Sequence, residues 1–381
     1  MASELQELVD EAARLLGAPV TLEDRDFELV AFAAHPVPVD AVRHASILRR
    51  RSSARVRTHF ESFGIATATG PVHVPGGGTG RARIVPRLCL PARARGVTYG
   101  YLWALEDGEP VDADRAAAAM RLADRAGAML AQQARARADV ARLLGDLLSA
   151  DAEAAERAAD ELDARGLAAR RRPLAVVVVT GGAAPAALWD LPRAVLALPQ
   201  LDGLTLLVPA GHPPEPAEVA DLAVRAVRGA GPGVVVAGIG EVVADLARAR
   251  DSLRHARVAA RVARAEPSAG AVRDWAGLGV HRLLACGTGA LADAVLDGPV
   301  RALLEARGAA QVDLSATARC WLDAACSVGR AAAALGVHRQ TLYARLERIE
   351  QLTGLRLVSG EPSGQDRMRL QLALTLAPLL R

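Results

Sequence analysis

The chain has 381 residues, with 46 basic side chains against 43 acidic ones, so its net charge singles out no partner, and the length allows roughly two to four domains. Every basic side chain is arginine, for the sequence contains no lysine and no asparagine. That absence excludes an ordinary Walker A loop, a protein kinase and a pyridoxal-phosphate enzyme, each of which needs a particular lysine, and it removes any N-glycosylation acceptor.

The N-terminal run MASELQELVDEAARLL is amphipathic and acidic, unlike a secretory leader, and predicts a first helix with Leu5, Leu8, Val9, Ala12, Leu15 and Leu16 on one stripe. PVTLED, ELVAFAA, RIVPRLCLPARA and VTYGYLWAL follow as short runs of strand-type alternation between turn-rich pieces, so the residues up to about Gln133 read as an α+β, sensor-like block. Within it, Gly76 to Gly80 has neither the lysine nor the following helix of a phosphate cradle and predicts a hairpin loop. His35, His44, His59 and His73 lack metal-ligand spacing and are expected at the surface or satisfied by a polar partner. The arginine-rich run from Arg49 to Arg57 admits two readings, a solvated helix face and a seat for an anionic effector. Cys89 sits in an apolar strand and is expected in the core. The four cysteines, Cys89, Cys286, Cys320 and Cys326, show no C-x-x-C spacing, which fits a reducing cytoplasm and gives no metal site. The densest apolar run, Leu174 to Val179, is of strand length, so no membrane span is expected.

From Val111 to about Ala164 the chain is almost unbroken helix former. Met120, Ala123, Gly127, Leu130, Ala134, Arg137, Ala141 and Leu144 form a narrow seam, as where two copies pack side by side along a connector; the alternative is two helices broken near Gln132. The next segment, about Arg172 to Ala265, alternates strand and helix. LAVVVVT, LTLLVPA and GVVVAGIG predict strands, with helices near Trp189 to Leu198, Glu218 to Arg228 and Val242 to Ala265. Strands so uniformly apolar are covered on both faces, which predicts an α/β sheet sandwich.

The strongest pattern lies between Leu314 and Arg381. LSATARCWLDAA predicts a helix burying Leu314, Ala318, Trp321 and Leu322; Ser327 caps a short second helix that Gly336 ends. After the turn Gly336 to His338, a longer helix places Leu342, Leu346 and Ile349 on one face and stops at Gly354. A short alanine-rich helix, a glycine-containing turn and a longer amphipathic helix make the plan of a helix-turn-helix, whose second helix enters a major groove. Stepping 100° per residue puts Gln340, Ala344, Glu347 and Gln351 opposite the apolar stripe, with Tyr343 and Arg348 on its flanks. Thr341 and the first-turn amides suit a phosphate, with Arg339 beside them, and Gln340 suits an adenine edge. The DNA-facing candidates are Arg330, His338, Arg339, Gln340, Thr341, Tyr343, Ala344, Arg345 and Arg348. Nine arginines against five acidic residues give this segment the positive excess of a DNA-binding module.

The run GIGEVVADLARARDSLRHARVAARVA, Gly238 to Ala263, resembles the end of the degenerate GGDEF-like domain of PucR/CdaR-type bacterial regulators, as does LLGDLLSADAEAAERAADELDARGL before the first strand. AAALGVHRQTLYARLERIEQLTGL, followed by RMRLQLALTL, looks like the C-terminal helix-turn-helix of that family, keeping Val337, His338, Arg339, Thr341 and Leu342 but carrying Gln340 where the family usually has Asn. Together the two likenesses cover roughly Val140 to Arg381. In active cyclases of the GGDEF fold a hairpin and nearby carboxylates hold metal and nucleotide; the corresponding LALPQLDGLTLLV offers Asp202 alone, so cyclase activity is not expected. The N-terminal block is similar to GAF-type sensory domains. The resemblance thus implies a multidomain α+β protein: a GAF-like α/β sensor domain at 1–133, a connector helix with a GGDEF-like α/β domain at 134–285, a helical linker at 286–313 and an all-α helix-turn-helix domain at 314–381. The implied function is non-enzymatic, sequence-specific transcriptional regulation in the cytoplasm. It would act through double-stranded DNA as a homodimer or higher homo-oligomer, without cofactor or metal, under an effector whose identity stays open. The other class kept in view is an interaction scaffold with a vestigial helix-turn-helix.

Overall fold

The computed structural model describes residues 2–33, 47, 52–77, 84–106, 110–182, 191–192, 194–229, 233–267, 270–296, 298–305, 313–359 and 363–380. They fall into two units, residues 1–143 and, for the most part, the chain from Leu144 onward.

In the first unit, helix α1 (Ala2–Leu16) leads into strands β1 (Val20–Asp24) and β2 (Leu29–Phe32). Helix α2 (Ala54–Glu61), β3 (Val72–Val74), β4 (Arg87–Ala94) and β5 (Val97–Leu105) follow, and α3 (Ala113–Leu147) closes the series. The five strands form one antiparallel sheet in the order β2-β1-β5-β4-β3. The central strands alternate between two faces, with the twofold period of a strand. Leu22, Leu88, Leu90, Leu102 and Ala104 pack with Leu5, Leu8, Val9 and Ala12 of α1 and with Ala119, Ala123, Ala126 and Leu130 of α3. The intervening residues Cys89, Tyr101 and Trp103 join Phe27, Phe60 and Ile65 in a second, aromatic core on the opposite face. Leu15, expected in the α1 stripe, is 36% exposed, because it lies at the stripe's edge.

Of the two readings of the long helical stretch, the break near Gln132 is excluded. Helix α3 runs through Gln132 without a break and ends at Leu147, where Asp151 caps the next helix by accepting from the Glu153 and Ala154 amides at 3.0 and 3.1 Å. The N-terminal half of the predicted seam is interior to its own unit: Ala123, Gly127 and Leu130 are buried. A Cβ on Gly127 would fall 2.3 Å from the Arg93 amide nitrogen, so glycine is what lets α3 lie on β4. Ala134 and Arg137 are exposed.

The second unit begins with α4 (Ala152–Ala164) and β6 (Leu174–Thr180). The hairpin β7 (Leu196–Gln200) and β8 (Gly203–Pro209), α5 (Pro216–Gly229), β9 (Val236–Ile239), α6 (Ala249–Ala265) and β10 (Val272–Asp274) follow. The sheet order is β10-β9-β6-β8-β7, antiparallel except for the pair β9–β10. Leu174 to Val179 are all buried, so both faces of β6 are covered, as their composition predicts. Two helix expectations are corrected here. Leu196 to Gln200 is a strand: with a turn at Leu201–Asp202 its residues pair directly with β8, and Pro199 is tolerated because β7 is an edge strand. The helix expected from Val242 starts instead at Ala249, since Val243 exchanges backbone hydrogen bonds with Leu174 at 2.8 and 3.0 Å and Asp245 caps a short 3-10 turn before it. Helix α6 crosses the sheet very closely at Gly238, where a Cβ would meet the Ala256 carbonyl oxygen at 2.1 Å, and the buried Ser252 hydroxyl accepts the Val176 amide at 2.8 Å.

A 3-10 stretch at Gly279–Cys286 leads through α7 (Thr288–Val295) and α8 (Gly298–Glu305) to α9 (Leu314–Asp323), α10 (Val328–Ala334), α11 (Arg339–Thr353) and α12 (Gly364–Leu380). Leu376 and Leu379 of α12 share a core with Val258, Ala259 and Val262 of α6. Among the described residues no helix is long and apolar enough to cross a membrane.

Candidate nucleic-acid interface

Helices α9 to α11 form a trihelical unit built as the spacing predicts. Leu314, Ala318 and Trp321 of α9, Ala331 and Ala332 of α10, and Leu342, Leu346 and Ile349 of α11 make one core, completed by Leu355, Leu357, Leu370 and Leu374. Leu322, expected inside, is half-buried. Each helix start is satisfied by a side chain: Asp313 accepts the Ala316 amide at 2.9 Å, Ser327 the Arg330 amide at 3.4 Å, and His338 Nδ1 the Gln340 amide at 3.3 Å. Gly336 and Gly354, both with positive φ, end α10 and α11.

With Leu342, Leu346 and Ile349 turned inward, α11 turns Arg339, Gln340, Thr341, Tyr343, Ala344, Glu347, Arg348 and Gln351 to the surface. Arg345 is half-buried. The Arg339 guanidinium lies against Gly329, with Nη2 3.2 Å from where a Cβ would stand, so the first turn of α11 presents its charge over α10. Arg348 donates to Gln351 at 3.1 Å. Two of the candidates are tied to the scaffold. Arg330 donates to the Ala324 carbonyl at 2.7 Å across the α9–α10 turn, and His338, although exposed, uses one ring nitrogen as the cap of α11.

Several side chains that hold this surface have no local sequence signal. Glu350, at the end of α11, accepts the amides of Leu357, Val358 and Ser359 at 2.5, 2.8 and 3.1 Å and the Ser359 hydroxyl. Burial raises its pKa, but these hydrogen bonds outweigh that effect and hold the carboxyl below its usual range. Arg319 of α9 donates to the Leu374 carbonyl of α12 at 2.6 Å, and Arg367 lies 5.5 Å from the centre of the Trp321 ring while donating to Leu357.

In the first unit, the Ser52 hydroxyl donates to Glu23 at 2.9 Å on the aromatic face of the sheet. Burial pushes this carboxyl up to about 7, against the opposing pulls of Ser52 and Arg87. Cys89 is fully buried, as expected, and burial pushes its thiol up. His73 is satisfied by Glu106 at 3.0 Å. His59 is half-buried: its ring packs on Phe60 and Phe63, and its buried Nε2 has no hydrogen-bond partner among the described residues. Gly77 and Ile84 form an antiparallel bridge with mutual hydrogen bonds of 3.0 and 2.7 Å, and residues 78–80 of the glycine run read as a hairpin loop lie outside the described ones. His35, His44 and Arg49 to Arg51 likewise lie outside the described residues, while Arg57 pairs with Glu61 at 2.8 Å. No group of three metal-capable side chains occurs among the described residues. The β7–β8 hairpin carries Asp202, exposed and 3.9 Å from Arg264.

Residues 314–376 match the family of the PucR C-terminal helix-turn-helix domain, and residues 183–262 match that of the GGDEF-like domain. These matches define the class, a transcriptional regulator with a C-terminal helix-turn-helix. The chain carries in sequence order the domain pair of the PucR/CdaR-type regulators that its motifs resemble. No curated protein matches it. Among solved structures it is similar to a regulator of polyketide synthase expression from Bifidobacterium adolescentis, at 19% identity and a TM-score of 0.28, over 62% of this chain and 96% of that one. It is also similar to a bacteriophytochrome from the photosynthetic bacterium R. palustris, at 11% identity and a TM-score of 0.27, over 54% and 60%.

Proposed function

We propose that this regulator is a sequence-specific, non-enzymatic DNA-binding protein that acts as a homodimer or higher homo-oligomer and reads the major groove with α11. The observation that carries the reading is the division of α11 into an inner stripe of Leu342, Leu346 and Ile349 and an outer row that begins Arg339, Gln340, Thr341 and continues through Tyr343, Ala344 and Arg348. In this reading Arg339 and Thr341 take phosphates at the start of the helix, and Gln340 reads a base edge, with bidentate contact to adenine. Arg345 and Arg348 extend the positive face, while Arg330 and His338 act at the rim from their scaffold positions. The domain assignment 1–133, 134–285, 286–313 and 314–381 belongs to the same proposal. Its first segment, with a helix–sheet–helix order similar to GAF domains, senses a small effector, and the exposed middle of α3 serves as connector. The non-enzymatic part is supported by the lone carboxylate of the β7–β8 hairpin, too few for a two-metal site.

The test is selection of bound sequences from a random duplex pool with the full chain and with Arg339→Ala. A two-fold symmetric motif enriched by the parent and not by the variant is expected, with half-sites about one or more helical turns apart. Affinity should fall steeply with salt, by about one log–log unit per phosphate contact. Enrichment of no motif by the parent, or the same motif at equal strength by both proteins, overturns readout through this helix.

A further inference from the structure

Helix α6 is buried over most of its circumference, and its exposed stripe carries Arg250, Arg254, Arg257 and Arg261, spaced by four, three and four residues. These side chains line a cleft of about 660 Å³. Its other walls are Leu148 and Ala150, just beyond the end of α3, and Leu284, Ala285 and Gly287, from the 3-10 stretch before α7. Leu253 and Val258, themselves buried, add apolar lining from α6. The cleft's one carboxylate, Asp251, is engaged by Arg254 at 3.6 Å and by Arg248 at 3.2 Å. Arg250, Arg257 and Arg261 make no hydrogen bond or ion pair among the described residues.

Four guanidiniums in one concavity with a single carboxylate among them repel one another, and nothing in the α/β core requires arginine there. Exposed helix positions accept any helix former, so fold stability does not explain the choice. The arrangement has the elements of an anion site. Guanidiniums are weakly hydrated and meet phosphoryl oxygens in paired hydrogen bonds, and a rise of about 4.5–6 Å between successive arginines lets neighbouring ones grip adjacent phosphoryl groups. The volume falls within the range of about 300–1,000 Å³ typical of small-molecule sites. A duplex, whose backbone is convex, is suited to an open face such as that of α11 rather than to a cleft walled by two further segments.

We propose that this cleft binds a small organic polyphosphate of nucleotide size, with Arg250, Arg257 and Arg261 on its phosphoryl groups and its carbon skeleton against Leu253, Val258 and Leu284. The site is separate from the α11 surface and from the β7–β8 hairpin. It gathers the chain just past the connector helix, α6 and the approach to the helix-turn-helix around one ligand.

Isothermal titration of the full chain with ATP, inorganic pyrophosphate and adenosine tests this, with Arg257→Gln/Arg261→Gln as the variant. ATP is expected to bind with a Kd below about 100 μM, pyrophosphate more weakly, and adenosine not measurably. The variant should lose at least tenfold in ATP affinity, about 1.4 kcal/mol, with its melting temperature unchanged. Its affinity for duplex DNA should also equal the parent's, since the proposal assigns these arginines to no DNA contact. The proposal is overturned if neither ATP nor pyrophosphate binds at about 5 mM, or if both proteins bind them equally. It is equally overturned if the variant loses duplex affinity while phosphate binding is absent, which would make the stripe a DNA contact.

Discussion

The N-terminal sheet and the C-terminal helix-turn-helix dispose of their charge in opposite ways. The N-terminal unit buries Glu23, Glu28, Arg87 and Glu106, each less than a tenth exposed, with Arg87 over the Phe60 ring. The trihelical unit buries no ionised side chain: its arginines stand outward along α11 or donate to backbone carbonyls, Arg330 to Ala324 at the α9–α10 turn and Arg319 to Leu374 of α12. A sheet covered on both faces must satisfy its polar residues internally, at an energetic cost that depends on pH, whereas a small helical unit with one inner stripe leaves its charges free for a partner.

The contrast can be broken at three points. The largest effect is expected at Glu23. Its carboxyl titrates near 7 in the folded chain instead of near 4.5, so the folded state holds a proton that the unfolded state has released. Stability is therefore fully present below about pH 4.5 and declines as pH rises through 7, by roughly 3 kcal/mol in all. Glu23→Gln, which keeps an acceptor for Ser52, should flatten this decline in calorimetric melts of the full chain from pH 5 to 8. An unchanged slope would mean that the buried charge is not what distinguishes the sheet.

The second point is Glu350, the carboxylate that organises the segment after α11. Glu350→Ala strands three amides and is expected to cost about 1–3 kcal/mol in chemical denaturation, with DNA affinity falling as the unit loosens. The smallest effect on stability is expected where function is placed. Arg339→Ala and Gln340→Ala should stay within about 0.5 kcal/mol of the parent. In binding assays on the selected sites, Arg339→Ala should weaken all sequences and Gln340→Ala alter preference at one position per half-site. A large stability loss in either variant would show that these side chains support the fold and would blur the contrast.

Legibility in the sequence followed the range of the interactions. The helix-turn-helix was readable almost residue by residue: the caps at Ser327 and Gly354, the inner Leu342, Leu346 and Ile349 and the outer Gln340 and Ala344 all depend on neighbours within about one turn. The continuous α3 was harder to divide, because alanine-rich sequence favours helix everywhere, and only the Asp151 cap marks the break. The β7 strand reads as helix when taken alone, since the pairing of Leu196 with Leu207 overrides local preference. The seam through Gly127 has the spacing of a helix–helix contact, yet its N-terminal half is occupied by the chain's own sheet.

The sequence by itself determined the order of elements at the C-terminus, the inward and outward faces of α11 and its arginine-only chemistry. Helix period and capping are short-range constraints that any fold must obey. The tertiary structure decided the rest: that Glu23 and Ser52 meet in a buried face, that Glu350 closes the loop after α11, and that residues near 148 and 285 wall in the arginines of α6. The first joins positions 29 residues apart and the cleft joins positions more than a hundred apart, while the Glu350 contacts span 7 to 9 residues across a helix end. No local periodicity encodes them, because they form only when sheets and helices pack to exclude water from their apolar faces.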